Sequence, residues 1–181
     1  MTARIYTIGH STRSTDELLE LLRGHQIRTL ADVRRFPGSR RFPHFSRAAL
    51  ETALAAAGLR YAHLEDLGGR RKPFDGSAND GWRNEAFRAY ADHMASAAFR
   101  EAIETLLALP PAAAILCAEA VPWRCHRNLI ADELTRRGIE VLHLVGAGRV
   151  SLHQINPMAR DAGGWLVYPS LSGAQHKLPL A

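Results

Sequence analysis

"AAAILCAEAVPWRCHRNLIADELTRRG", residues 112–138, decides the fold. Its first eight residues form an apolar run of the kind that makes a strand buried on both faces, as in a parallel sheet. Its last fifteen read as an amphipathic helix with Gly138 just past the end, where a left-handed terminator belongs. Around their junction, two cysteines, a glutamate, a histidine and two arginines crowd together. A strand buried on both faces that feeds a helix is the repeating step of an α/β protein.

The same step recurs on both sides of that stretch. "RIYTIGH" (4–10) and "TLADV" (29–33) read as strands, and "LRYAHLEDL" (59–67) and "EVLHLVG" (140–146) read the same way. Ser14 with Glu17 three residues on forms a capping box, with Leu18, Leu21 and Leu22 on one face of the helix that follows. Ser46 caps "RAALETALAAAG". Two further helical patterns, 82–96 and 98–110, precede the apolar run. From "AGRVSLHQINPMARDAGG" (147–164) onward the periodicity fails. The expected architecture is therefore α/β: an open, mostly parallel sheet of about five strands with helices on both faces. Residues 1–155 make the domain, and 156–181 make an irregular C-terminal extension.

The 181 residues carry a formal net charge of +5, almost all of it from arginine, since only Lys72 and Lys177 are lysines. That balance favours anionic partners, and arginine reads phosphate bidentately where lysine cannot. Two cysteines are too few for a disulfide scaffold. No apolar run approaches the ~20 residues of a membrane span, and the N-terminus has no secretory pattern. The expectation is a cytoplasmic protein with free thiols and no membrane partner.

In a doubly wound sheet, ligands bind beyond the carboxyl ends of the strands. The unusual residues gather there. His10 and Ser11 follow the first strand, and Asp32, Arg34 and Arg40 follow the second. Glu119, Cys125, His126 and Arg127 follow the apolar run. The turns at the opposite end are plain. Glu119, Asp32, His10 and His126 are the candidate proton carriers for acid–base hydrolysis. Ser11, Arg34, Arg40 and Arg127 are the candidate anion binders. Cys125, at a helix start beside arginines, is the candidate reactive thiol. Cys117 reads as packing at a buried strand end. Paired with arginines, the carboxylates would instead form a structural ion-pair network.

"RRFPGSRRFPHF" (34–45) interleaves arginines with phenylalanines, the recipe for nucleotides or single-stranded nucleic acid. "GGRRKPFDGSANDGWR" (68–83) is a glycine-rich lid over the same cleft. The pattern of cysteine, five residues, arginine fails at both cysteines, which argues against a cysteine phosphatase or a sulfurtransferase. Cys117 and Cys125 stand eight apart with His126 adjacent, which is no zinc-finger spacing, so no metal ligand or cofactor is assigned.

Together "YTIGHST", "DVRRFPGSRRFPHF", "YAHLEDLGG", "FRAYADHM" and "LCAEAVPWRCHRNLIADEL" resemble the domain-of-unknown-function 488 family over roughly residues 4–146. The resemblance implies a compact bacterial α/β protein with no settled activity. Three readings follow. The first is an enzyme hydrolysing a phosphate-bearing, nucleotide or nucleic-acid-derived substrate. The second is a non-catalytic module binding the same ligands, which would need the basic loops but not Glu119 or His126. The third is a structural or partner-binding protein.

Overall fold

The computed structural model describes residues 3–38, 41–146 and 148–170. Among them, β1 (Arg4–Gly9), β2 (Thr29–Asp32), β3 (Arg60–His63), β4 (Ala113–Cys117), β5 (Glu140–Gly146) and β6 (Arg149–Leu152) form one sheet in the order β3-β2-β4-β1-β5-β6. The first five run parallel, and β6 turns back antiparallel on β5. The apolar run is the central strand: all five residues of β4 are buried, between β1 and β2. The sixth strand was not legible because its alternation is weak and all four residues are exposed at an edge.

Helices α1 (Thr15–Gly24) and α2 (Arg47–Ala56) cover one face. Helices α3 (Glu85–Met94), α4 (Ala97–Leu107) and α5 (Arg127–Arg136) cover the other. The pleat sorts the strands between these layers. Ala114 and Leu116 of β4 pack with α1 and α2, while Ile115 and Cys117 face α5. The Ser14–Glu17 capping box forms as expected, but the buried leucines of α1 are Leu18, Leu19 and Leu22, with Leu21 only half-buried. Caps at Ser46, Asn84 and Ser96 start α2, α3 and α4 and satisfy the N–H groups a helix start leaves without partners. No helix of the described residues is long and apolar enough to cross a membrane.

The described part of the C-terminal extension packs on the α5 side, and the rest, 171–181, lies outside the described residues. Leu166 and Tyr168 enter the core there, and a buried polar chain fixes the junction. His153 Nε2 donates to Asp132 (2.8 Å), and His143 Nε2 donates to His153 Nδ1 (2.9 Å). The Thr7 hydroxyl donates to His143 Nδ1 (2.7 Å), and the Tyr168 hydroxyl donates to the second oxygen of Asp132 (2.9 Å). The ring tautomers follow from that assignment of the network. Asp132 is fully buried, and these donors are what let it remain there.

Burial, with His153 and Arg127 nearby, pushes His143 down to about 3. In an unfolded chain the same imidazole titrates near ~6.5. Between those two values the unfolded chain holds the extra proton, so stability rises with pH across that window. Urea unfolding between pH 7 and 3 should lose stability as pH falls below ~6.5, at up to ~1.4 kcal/mol per pH unit for this one proton. A His143→Gln variant should show a shallower slope.

Candidate functional site

The chain leaving β1 and β2 crosses to the α1/α2 face, whereas the chain leaving β4 crosses to α5. The carboxyl end of β4 is therefore a point where connections part to opposite sides, and such a parting opens a crevice. A cavity of about 580 Å³ lies there, lined from the loops after β1, β2, β3 and β4. It brings together His10, Ser11, Arg34, Cys117, Glu119 and His126, with Arg35, Arg41 and Arg70 on its wall. Arg40 lies outside the described residues.

The floor is built by capturing carbonyl groups. Cys117 O accepts from His10 N and Ala118 O from Ser11 N, each at 2.9 Å. Glu119 O and Ala120 O accept from the two terminal nitrogens of Arg127, at 2.5 and 2.8 Å. A trans peptide turns its N–H opposite its C=O. The N–H groups of 118–121 therefore turn away from these captors. Ala118, Glu119 and Ala120 line the cavity. Gly9 permits the close approach: a Cβ there would stand 1.7 Å from Glu119 O.

Four expected roles change. Arg127 is 1% exposed and does not line the cavity; it holds the β4–α5 loop from behind and is no anion binder. Asp32 is fully buried and saturated, so it is not a proton carrier. It accepts from the Arg34 backbone N–H (3.0 Å), Nε (2.8 Å) and Nη2 (2.5 Å), and from the Tyr61 hydroxyl (2.8 Å). This is the ion-pair reading of that carboxylate. Arg34 also donates to Phe45 O at 2.8 Å and toward His10 Nε2 at 3.4 Å, leaving little of its fork for a ligand. His10 stacks on Phe45 with ring centroids 4.3 Å apart, and burial lowers its pKa, so it stays neutral.

The thiols exchange roles as well. Cys117 lines the cavity, while Cys125 lies behind it, its sulfur 2.9 Å from that of Cys117. Donation from Cys125 pulls the Cys117 thiol well down, with His126 and the Glu119 N–H adding to it. Burial, and then the proton it gives Cys117, push Cys125 up. The reactive candidate is Cys117, and Cys125 keeps its proton. Sequence reading missed Cys117 because a cysteine ending an apolar strand looks like any small buried residue. His126 Nε2 bonds Val33 O at 3.1 Å, so its Nδ1 turns toward the sulfurs, 3.6 Å from Cys125 and 3.9 Å from Cys117. Contrary to the spacing argument, Cys117, Cys125 and His126 thus present three metal-ligating atoms within 4.8 Å of one another.

The expected lid closes only in part. Gly69 and Arg70 reach the cavity. Arg71 instead donates to the carbonyls of Gly68 and Asp66, at 2.9 and 2.8 Å, and Trp82 stacks on Phe87. Glu119 is exposed at the mouth and is the one carboxylate among the described lining residues.

A doubly wound α/β chain with a thiol-floored, arginine-walled cavity at its central strand is the class this geometry defines. The chain belongs to the family described as Domain of unknown function DUF488, whose model matches residues 14–134. That span takes in the β4–α5 block but leaves out β1 with His10 and Ser11. No curated protein and no solved structure matches the chain.

Replacing Gly9 with alanine should force the β4–α5 loop away from β1. Chemical denaturation should report a loss of about 1–3 kcal/mol, the usual cost of overpacking. Whatever the folded variant does chemically at Cys117 should fall with it.

Proposed function

We propose that the cavity is the active site of an enzyme that hydrolyses a phosphate-bearing substrate, a nucleotide or a nucleic-acid-derived fragment. One observation carries the reading: beyond the Asp32–Arg34 pair, the wall holds Arg35, Arg41 and Arg70 against one carboxylate among its described residues, that of Glu119. Such a wall attracts anions, and arginine matches phosphate geometry. The volume of about 580 Å³ suits a ligand of nucleotide size. Phe36, 63% exposed, lies under the Arg35 guanidinium (5.7 Å), and Phe42 lies under that of Arg41 (5.4 Å). An exposed ring beside a phosphate-binding cation is what a nucleobase stacks on.

Of the four proton carriers named from sequence, Glu119 alone keeps that role. Asp32 and His10 serve Arg34, and the free nitrogen of His126 faces sulfur. In this mechanism Glu119 takes a proton from water, and the water oxygen bonds phosphorus. The P–O bond to the leaving group breaks, and the leaving oxygen takes up that proton. The N–H groups of Ala118 and Ala120, residues that line the cavity, support the charge that builds on phosphoryl oxygen.

The test is a panel of nucleoside monophosphates and p-nitrophenyl phosphate, read by calorimetry and phosphate release. Binding should weaken with salt, and Arg41→Ala or Arg70→Ala should each weaken it about tenfold or more. Glu119→Gln should leave binding intact or tighter while turnover falls by ~100-fold or more. Binding without turnover in the native protein would favour the non-catalytic module. Failure of both overturns the reading.

A further inference from the structure

We propose that Cys117, Cys125 and His126 form a zinc-type metal site in the cavity floor, with a fourth coordination position open toward the cavity. It deepens the hydrolytic reading without depending on it.

Three observations carry it. The ligand atoms of all three side chains lie within 4.8 Å of one another. The imidazole is oriented as a ligand should be: a carbonyl can only accept, so the 3.1 Å contact with Val33 O puts the proton on Nε2 and leaves the Nδ1 lone pair facing the sulfurs. A backbone carbonyl behind a ligating histidine is the usual way its tautomer and ring angle are fixed. Finally, the three ligands come from one clamped piece of chain: the last residue of β4, the end of a 3-10 turn (Pro122–Arg124) and the N-cap of α5. Arg127 holds the loop between them.

The fit needs one adjustment. Two sulfurs on a tetrahedral ion with ~2.3 Å bonds stand about 3.8 Å apart, so the 2.9 Å separation must open by about 0.9 Å. The sulfur–nitrogen separations of 3.6 and 3.9 Å are already close to the ~3.6 Å such an ion requires. Two thiolates and an imidazole select a borderline-soft ion: zinc, or cobalt(II) as its spectroscopic substitute. Two thiolates also neutralise its charge in this buried setting. Cys117 and His126 line the cavity whereas Cys125 lies behind, so a bound ion has protein on three sides and the cavity on the fourth. Three protein ligands and one open position is the pattern of a catalytic rather than a structural zinc. Water held there would be the nucleophile of the hydrolysis, with Glu119 receiving its proton.

The experiment uses the full chain, reduced and stripped with a chelator, then titrated with zinc against a chromophoric competitor. One equivalent should bind, and cobalt(II) should give the near-ultraviolet sulfur-to-metal bands of two thiolates. Cys117→Ser, Cys125→Ser and His126→Ala should each weaken binding by ~100-fold or more, with His93→Ala unchanged. To guard against variants that fail to fold, the native chain is also alkylated with and without zinc. Mass spectrometry should find both cysteines protected by the metal. No binding by the reduced chain, binding indifferent to the three ligand variants, cobalt spectra without thiolate bands, or cysteines equally alkylated under saturating zinc would each overturn the site. Zinc binding without turnover of any phosphate ester overturns the hydrolytic reading and leaves the site standing. Turnover by a chain that binds no zinc does the reverse.

Discussion

Arg127 is the constraint on which the site rests. Its guanidinium is buried under the loop that leaves the central strand, and its terminal nitrogens donate to backbone carbonyls rather than to a carboxylate. Burying a cation without an acidic partner is costly, and a cation so placed stabilises any anion nearby. The Cys117 sulfur, whose pKa is pulled down, supplies that charge and favours the protonated state of Arg127 against its burial. One side chain thus shapes the loop, turns its N–H groups away and sets the electrostatics of the floor.

The remaining parts follow from what the sheet permits. β4 is central because its residues are apolar on both faces, and its neighbours β1 and β2 bring His10, Ser11, Asp32 and Arg34 to its carboxyl end. Asp32 is neutralised there by Arg34, and its other donor is Tyr61 on β3. That network makes one rigid wall of the cavity. The arginines left over, Arg35, Arg41 and Arg70, sit farther out on loops, where they can meet a ligand. The buried Thr7–His143–His153–Asp132 chain does a parallel job on the other flank, joining β1, β5 and α5 to the segment that carries Tyr168.

Which residues would converge was legible from sequence, but their division of labour was not. His10, Ser11, Arg34, Glu119 and His126 meet in one hollow because strand ends in a parallel sheet must. A carboxylate such as Asp32 looks the same in sequence whether it faces water or a guanidinium. The same holds for Arg127, whose bonds go to carbonyls, groups every residue possesses. Spacing rules for metal ligands assume a compact hairpin or finger, and here a 3-10 turn folds the chain back over the strand end instead.

The sequence by itself determined the α/β class, the mostly parallel sheet, the helix caps at Ser14 and Ser46 and the end of the sheet where the unusual residues gather. These depend on local periodicity, on capping groups and on the handedness of crossovers. Only the tertiary structure decided that Cys117 rather than Cys125 meets the cavity, that Asp32 and Arg127 are structural, and that a sixth strand closes the edge. Those outcomes depend on which partner each polar group finds across the fold, and pairing over long sequence separations leaves no period in the chain.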